Sequence, residues 1–88
     1  MSTNTHGVRS GPAMPLNLAG SGQDVELVQV CGGKGFVNRM MEMGLVPGSR
    51  LQVESGNMRG PVVVVVKGVR LALGHGMAHR VLVRPVNS

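Results

Sequence analysis

Five consecutive valines, Val62 to Val66, constrain this chain more than any other stretch. A run of β-branched side chains strongly favours extended backbone, because χ1 is stiff and the branched group packs well on a pleated surface. An uncharged apolar strand left at a sheet edge would template aggregation. The run therefore predicts a strand in the interior of a sheet, covered on both faces. With 88 residues in all, one domain is expected. A domain of that size buries only about 60% of the surface its unfolded chain exposes, so its core must be compact and strongly apolar. There is one Phe and no Tyr or Trp, so the many Val and the seven Met must fill that core.

Other segments carry the same extended signal. Arg50 to Ser55 alternates cleanly, with Leu51 and Val53 on one face and Arg50, Gln52 and Glu54 on the other. Asp24 to Val30 begins with the same alternation, at Val25 and Leu27. Its phase then slips, because Val28 and Val30 are also apolar. A β-bulge or burial of both faces would produce that slip. Beyond the valines, the Gly68 region turns the chain into a short return strand, Arg70 to Leu73. A tight turn from Gly74 to His79, a single helical turn at most, leads to a last strand, Arg80 to Arg84.

One segment reads as helix. In Lys34 to Met43, Phe36, Val37, Met40 and Met41 form two i,i+4 pairs on one face, while Asn38, Arg39 and Glu42 lie on the other. Gly44 can close the helix in the left-handed conformation, and Leu45 then packs back onto the last turn. Pro47 cannot continue a helix, and Pro47-Gly48 suits the central positions of a type II turn. The polar stretch 1–13 has no hydrophobic period and is read as a disordered tail. The domain is expected over 14–88, with Pro15, Leu16 and Leu18 tethering its entry. Gly56 to Pro61 reads as a loop.

The order is a strand, a short helix, then four short strands. Parallel crossover units would require more helices. The expected fold class is mainly β: a small antiparallel barrel of about five strands with one inserted short α-helix, which resembles an SH3-like barrel.

Two parts of the sequence carry a more specific likeness. The first is Arg39-Met40-Met41-Glu42-Met43-Gly44-Leu45-Val46-Pro47-Gly48. The second is Gly68, then Leu71-Ala72-Leu73-Gly74, Ala78 and the alternating Val81 and Val83. In order and spacing they resemble the ferrous iron transport protein A (FeoA) family, over most of Met14 to Val86. Met40 stands where that family usually has Leu, a swap that conserves volume closely. His75-Gly76 replaces the family's usual charged helix formers, and Gly76 weakens that turn by about 1 kcal/mol relative to Ala.

The resemblance implies a small accessory protein, not an enzyme, that binds and modulates a ferrous iron transporter built from a membrane permease and a cytosolic GTPase domain. The expected contact surface is the exposed helix face with Arg39 and Glu42, and the turn of Leu45, Val46, Pro47 and Gly48. Met43, Gly44, Gly68, Leu73, Gly74 and Ala78 are expected to carry the fold. The alternative is a stand-alone SH3-like regulatory barrel, related to that of metal-dependent transcriptional repressors, acting through protein contact.

Composition narrows the remaining classes. The formal net charge is +5, but the cations are scattered and form no run, so a solvated basic surface is the simplest reading. SH3-type proline-peptide grooves and single-strand nucleic-acid sites both use aromatic rings, which this chain lacks apart from Phe36. It has no second helix for a helix-turn-helix, and no nucleic acid partner is expected. His75 and His79 are spaced i,i+4, but no third ligand is near in sequence, so neither a metal site nor a cofactor is assigned. Cys31 is the single cysteine, which rules out an internal disulfide. The longest apolar run is far below the roughly 18 residues of a membrane span, so direct membrane insertion is not expected. A reducing, cytoplasmic setting is expected, at the inner membrane only through the transporter. An apolar patch at Leu45, Val46 and Leu82 would permit weak self-association.

Overall fold

The computed structural model describes residues 12–55 and 60–86. The expected tail lies almost wholly outside the described residues, and so do Gly56 to Arg59 of the expected loop. The elements are β1 (Met14–Pro15), a 3-10 turn (Leu16–Leu18), β2 (Asp24–Val30), α1 (Lys34–Glu42), β3 (Arg50–Ser55), β4 (Val62–Val66), β5 (Val69–Leu73), α2 (His75–Ala78) and β6 (Val81–Pro85). The six strands form one antiparallel sheet in the order β1-β6-β2-β3-β4-β5. The fold is SH3-like, and its ladder stays open between β1 and β5.

The valine strand is interior, between β3 and β5, as its composition demands. It is not covered on both faces. Val62, Val64 and Val66 are buried, while Val63 and Val65 are half-buried. A single sheet around a single core has one inner face, so successive side chains alternate even when the sequence does not. The phase slip in β2 is a bulge. Leu27 pairs with Val83 and Gln29 with Leu82, which leaves Val28 as the extra residue.

The core gathers buried residues from β2 to β6, joined by Leu16, Met40, Leu45 and Ala78. Leu16 does tether the entry, whereas Leu18 is 50% exposed. The apolar stripe of α1 runs Phe36, Met40, Met43 rather than Phe36, Val37, Met40, Met41. Met41 is 52% exposed, because it lies about 100° around the helix from Met40 and the helix touches the core along one narrow line. Phe36 is half-buried, and the Arg80 guanidinium sits over its ring at 5.4 Å from the centroid.

β1 is one strand more than the sequence signals. It is only two residues long and contains Pro15, which suits an edge because proline has no N–H for a further ladder. At the opposite edge, Lys67 and Gly68 close a two-residue hairpin between β4 and β5. Their φ values of 53° and 78° define a type I′ turn, whose twist matches the flanking strands.

Candidate partner-binding site

The helix end and the turn after it form one rigid knuckle. Gly44 has φ +88°, and its N–H donates to the Met41 carbonyl at 2.9 Å. The Leu45 N–H donates to the Met40 carbonyl at 2.9 Å. This pair of bonds is a Schellman cap, and its hydrophobic contact is made by Leu45 and Met40 in the core. Four residues then reverse the chain. The Ser49 N–H donates to the Val46 carbonyl at 2.9 Å, and Gly48 has φ +93°. With Pro47 before it, this is the expected type II turn.

Ser49 ties the two features together. Its hydroxyl donates to the Gly44 carbonyl at 3.0 Å and accepts from the Val46 N–H at 3.3 Å. Two further backbone bonds fasten the turn to β2. Gly48 N–H donates to the Leu27 carbonyl at 2.7 Å, and Leu27 N–H to the Ser49 carbonyl at 2.8 Å.

An open groove of about 560 Å³ runs along this knuckle. The turn and the start of β3 supply Val46, Pro47, Gly48, Ser49 and Arg50, and the tip of the β4–β5 hairpin supplies Val66 and Lys67. Its accessible apolar part is Val46 and Pro47, with the buried Val66 beneath them. Its charged residues are Arg50 and Lys67, both cations and both exposed.

The structure thus divides the expected contact set. Val46, Pro47 and Gly48 line the groove. Arg39 and Glu42 are exposed on α1 but are not among its lining. Leu45 must be withdrawn from the surface: it is 1% exposed, because the cap that directs it back onto Met40 buries it. The apolar patch expected at Leu45, Val46 and Leu82 therefore loses its first member, and Leu82 is half-buried on β6. Among the fold-bearing residues, Leu73 and Ala78 are buried, Met43 caps α1, Gly68 completes the hairpin turn and Gly74 caps α2.

Ser49, Arg50, Val66 and Lys67 are groove residues that sequence reasoning missed. The signal for Ser49 was present, as a hydroxyl three residues after Val46 can close a turn on itself. Lys67 carried no such signal, since only the β3–β4 pairing brings its hairpin to the turn. His75 and His79 are both exposed, and among the described residues no three His, Cys, Asp or Glu cluster as a metal site. No described helix is long and apolar enough to cross a membrane.

Comparison with known proteins agrees with this architecture. A FeoA domain matches residues 14–85. A protein of Methanocaldococcus jannaschii named "Putative Fe(2+) transport protein A" is 36% identical over 69 residues, which is 78% of this chain and 83% of that one. The crystal structure of an iron uptake regulatory protein, FeoA, superposes with a TM-score of 0.79 at 37% identity, covering 85% of this chain and 100% of the other. A manganese-dependent transcriptional repressor superposes with a TM-score of 0.77 at 19% identity, over 88% of this chain and 44% of its own. That last likeness is one of fold alone: the repressor is more than twice as long as the shared barrel. The match across nearly the whole described fold, together with the 36% identity to the archaeal relative, establishes that this chain belongs to the FeoA family.

Proposed function

We propose that this chain is a non-enzymatic accessory of ferrous iron uptake that binds a membrane-bound transporter through its cytosolic GTPase domain, from the cytoplasmic side. The observation that carries the reading is the groove on the capped turn. Surfaces that recognise partners are held rigid so that little ordering entropy is lost on binding. Here seven hydrogen bonds hold the six residues Gly44 to Ser49 to each other, to α1 and to β2. Val46 and Pro47 are left accessible beside two cations. A loop anchored in the core through Leu45 and held this firmly presents Val46 and Pro47 in one arrangement.

Calorimetric titration of the chain into the GTPase domain of the ferrous transporter from the same organism, with and without nucleotide, tests this. Saturable binding that weakens at least tenfold in Val46→Asp is the expected result. No binding in any nucleotide state would overturn the reading.

A further inference from the structure

We infer that the groove between the Pro47-Gly48 turn and the β4–β5 hairpin binds an extended protein segment carrying a carboxylate beside an apolar side chain. This deepens the transporter-contact reading of the same surface and rests on it for the identity of the partner.

The chemistry of the lining points to that class. Val46 and Pro47 offer an accessible apolar surface above the buried Val66, while Arg50 and Lys67 are the charged residues of the lining. None of the four acidic residues of the chain lines it: Glu26 stands opposite Arg50 across the β2–β3 ladder, outside the lining, and Glu54 is engaged, with Oε1 2.7 Å from Arg70 Nε. An arginine fork matches a carboxylate in plane, and a lysine adds a point charge from the side.

Phosphate and nucleotide fit poorly. Such sites draw on backbone N–H groups in a nest or at a helix N-terminus. Here the turn's N–H groups are spent: Val46 on the Ser49 hydroxyl, Gly48 on the Leu27 carbonyl and Ser49 on the Val46 carbonyl. Nucleic acid fits poorly as well, because no aromatic ring lines the groove and Phe36 packs under Arg80.

A second, independent observation is the backbone of Lys67. Its φ of 53° is the left-handed conformation, and it is the one described residue other than glycine with a positive φ. The first position of a type I′ turn favours Asn, Asp or Gly. Lysine there is strained, and strain of this kind concentrates at ligand clamps. The turn gains nothing from a lysine; the groove gains its second cation.

The test uses the full chain and fluorescein-labelled eight-residue peptides, read by anisotropy. One peptide alternates Glu with Leu, one has Gln in place of every Glu, and one has Lys in place of every Glu. The expected result is saturable binding of the Glu–Leu peptide, at least tenfold weaker for the Gln form and absent for the Lys form. Arg50→Gln and Lys67→Asn should each weaken it several-fold, and Lys67→Asn should melt at or above the parent. Binding unaffected by either substitution, or no preference for the Glu peptide, would overturn the proposal. So would inorganic phosphate competing at equal concentration. The same two variants titrated against the GTPase domain separate the two claims. If the domain binds both as tightly as the parent, the transporter reading stands and the groove assignment falls. If the peptide binds and the domain does not, the groove stands and the transporter reading falls.

Discussion

The Leu45 N–H reaches back five residues to the Met40 carbonyl at 2.9 Å, and both side chains are buried in the same core. One hydrogen bond and one apolar contact therefore fix where the helix stops and in which direction Val46 and Pro47 leave it.

That arrangement depends on Gly44. Beyond its own chain neighbours, no atom lies within 4 Å of where its β-carbon would be, so a side chain there meets open space and the cost is in the backbone. At φ +88°, Gly44→Ala should destabilise by about 1–2 kcal/mol. Gly44→Val should cost more, because branching narrows the left-handed region further. Thermal melting checks this: a domain of this size loses about 4–8 °C per kcal/mol. An unchanged midpoint in both variants would refute the cap.

Ser49 closes the turn with its hydroxyl, which bonds at 3.0 and 3.3 Å to two backbone groups. Ser49→Ala should cost about 1 kcal/mol, the usual worth of part-buried hydrogen bonds. Amide exchange at Val46 should rise in that variant while exchange at Leu51 stays as in the parent.

The valine strand gives a sharper contrast. Val64→Thr places a hydroxyl at a position with 0% exposure and should cost roughly 1–3 kcal/mol. Val65→Thr, one residue away on the half-buried face, should change stability by less than about 0.5 kcal/mol. Equal effects in urea melts would mean that both faces are covered after all.

At the hairpin tip, Lys67→Asn should stabilise by about 0.5–1 kcal/mol, since asparagine tolerates the left-handed conformation that lysine resists. The same substitution should weaken partner binding, so stability and binding are expected to move in opposite directions. A denaturant midpoint that falls instead would remove the strain argument.

Nearby, Arg70 and Glu54 meet through two N···O contacts of 2.7 and 2.9 Å, with 69% and 43% of their side chains exposed. Exposure of that order leaves such a pair worth about 0.2–1 kcal/mol, and less at high salt. Glu54→Gln should therefore shift the melting point by a few degrees at low salt and by almost nothing in 1 M salt.

Three strands, β2, β3 and β4, were legible to the residue, because β-branched content and period-2 alternation are local properties. β5 begins one residue earlier than expected and β6 is shifted by one residue at both ends, where turn and strand share hydrogen bonds and bounds are soft. β1 was invisible: two residues including Pro15 carry no period at all. The turn at Gly44 to Gly48 was legible because glycine and proline declare their dihedrals in the sequence. The groove was not, since Lys67 reaches the turn only through the pairing of β3 with β4. Leu45 shows the limit of a motif read alone. The residue that must pack back onto the helix cannot also face a partner, and only the three-dimensional core decides between the two.

The place of β6 has a consequence for how the molecule comes into being. The last strand in the sequence lies between β1 and β2, and its pairs with β2 run from Val25–Pro85 to Val30–Val81. Half of the sheet's centre is therefore assembled from residues about fifty to sixty positions apart. While the chain is being synthesised, β2 through β5 can form hairpins with one another, but β1 has no partner until Val83 has left the ribosome exit tunnel. Closing such distant contacts is slow, on the order of milliseconds to seconds for sheet-rich domains. The complete sheet can therefore form only once β6 has been translated.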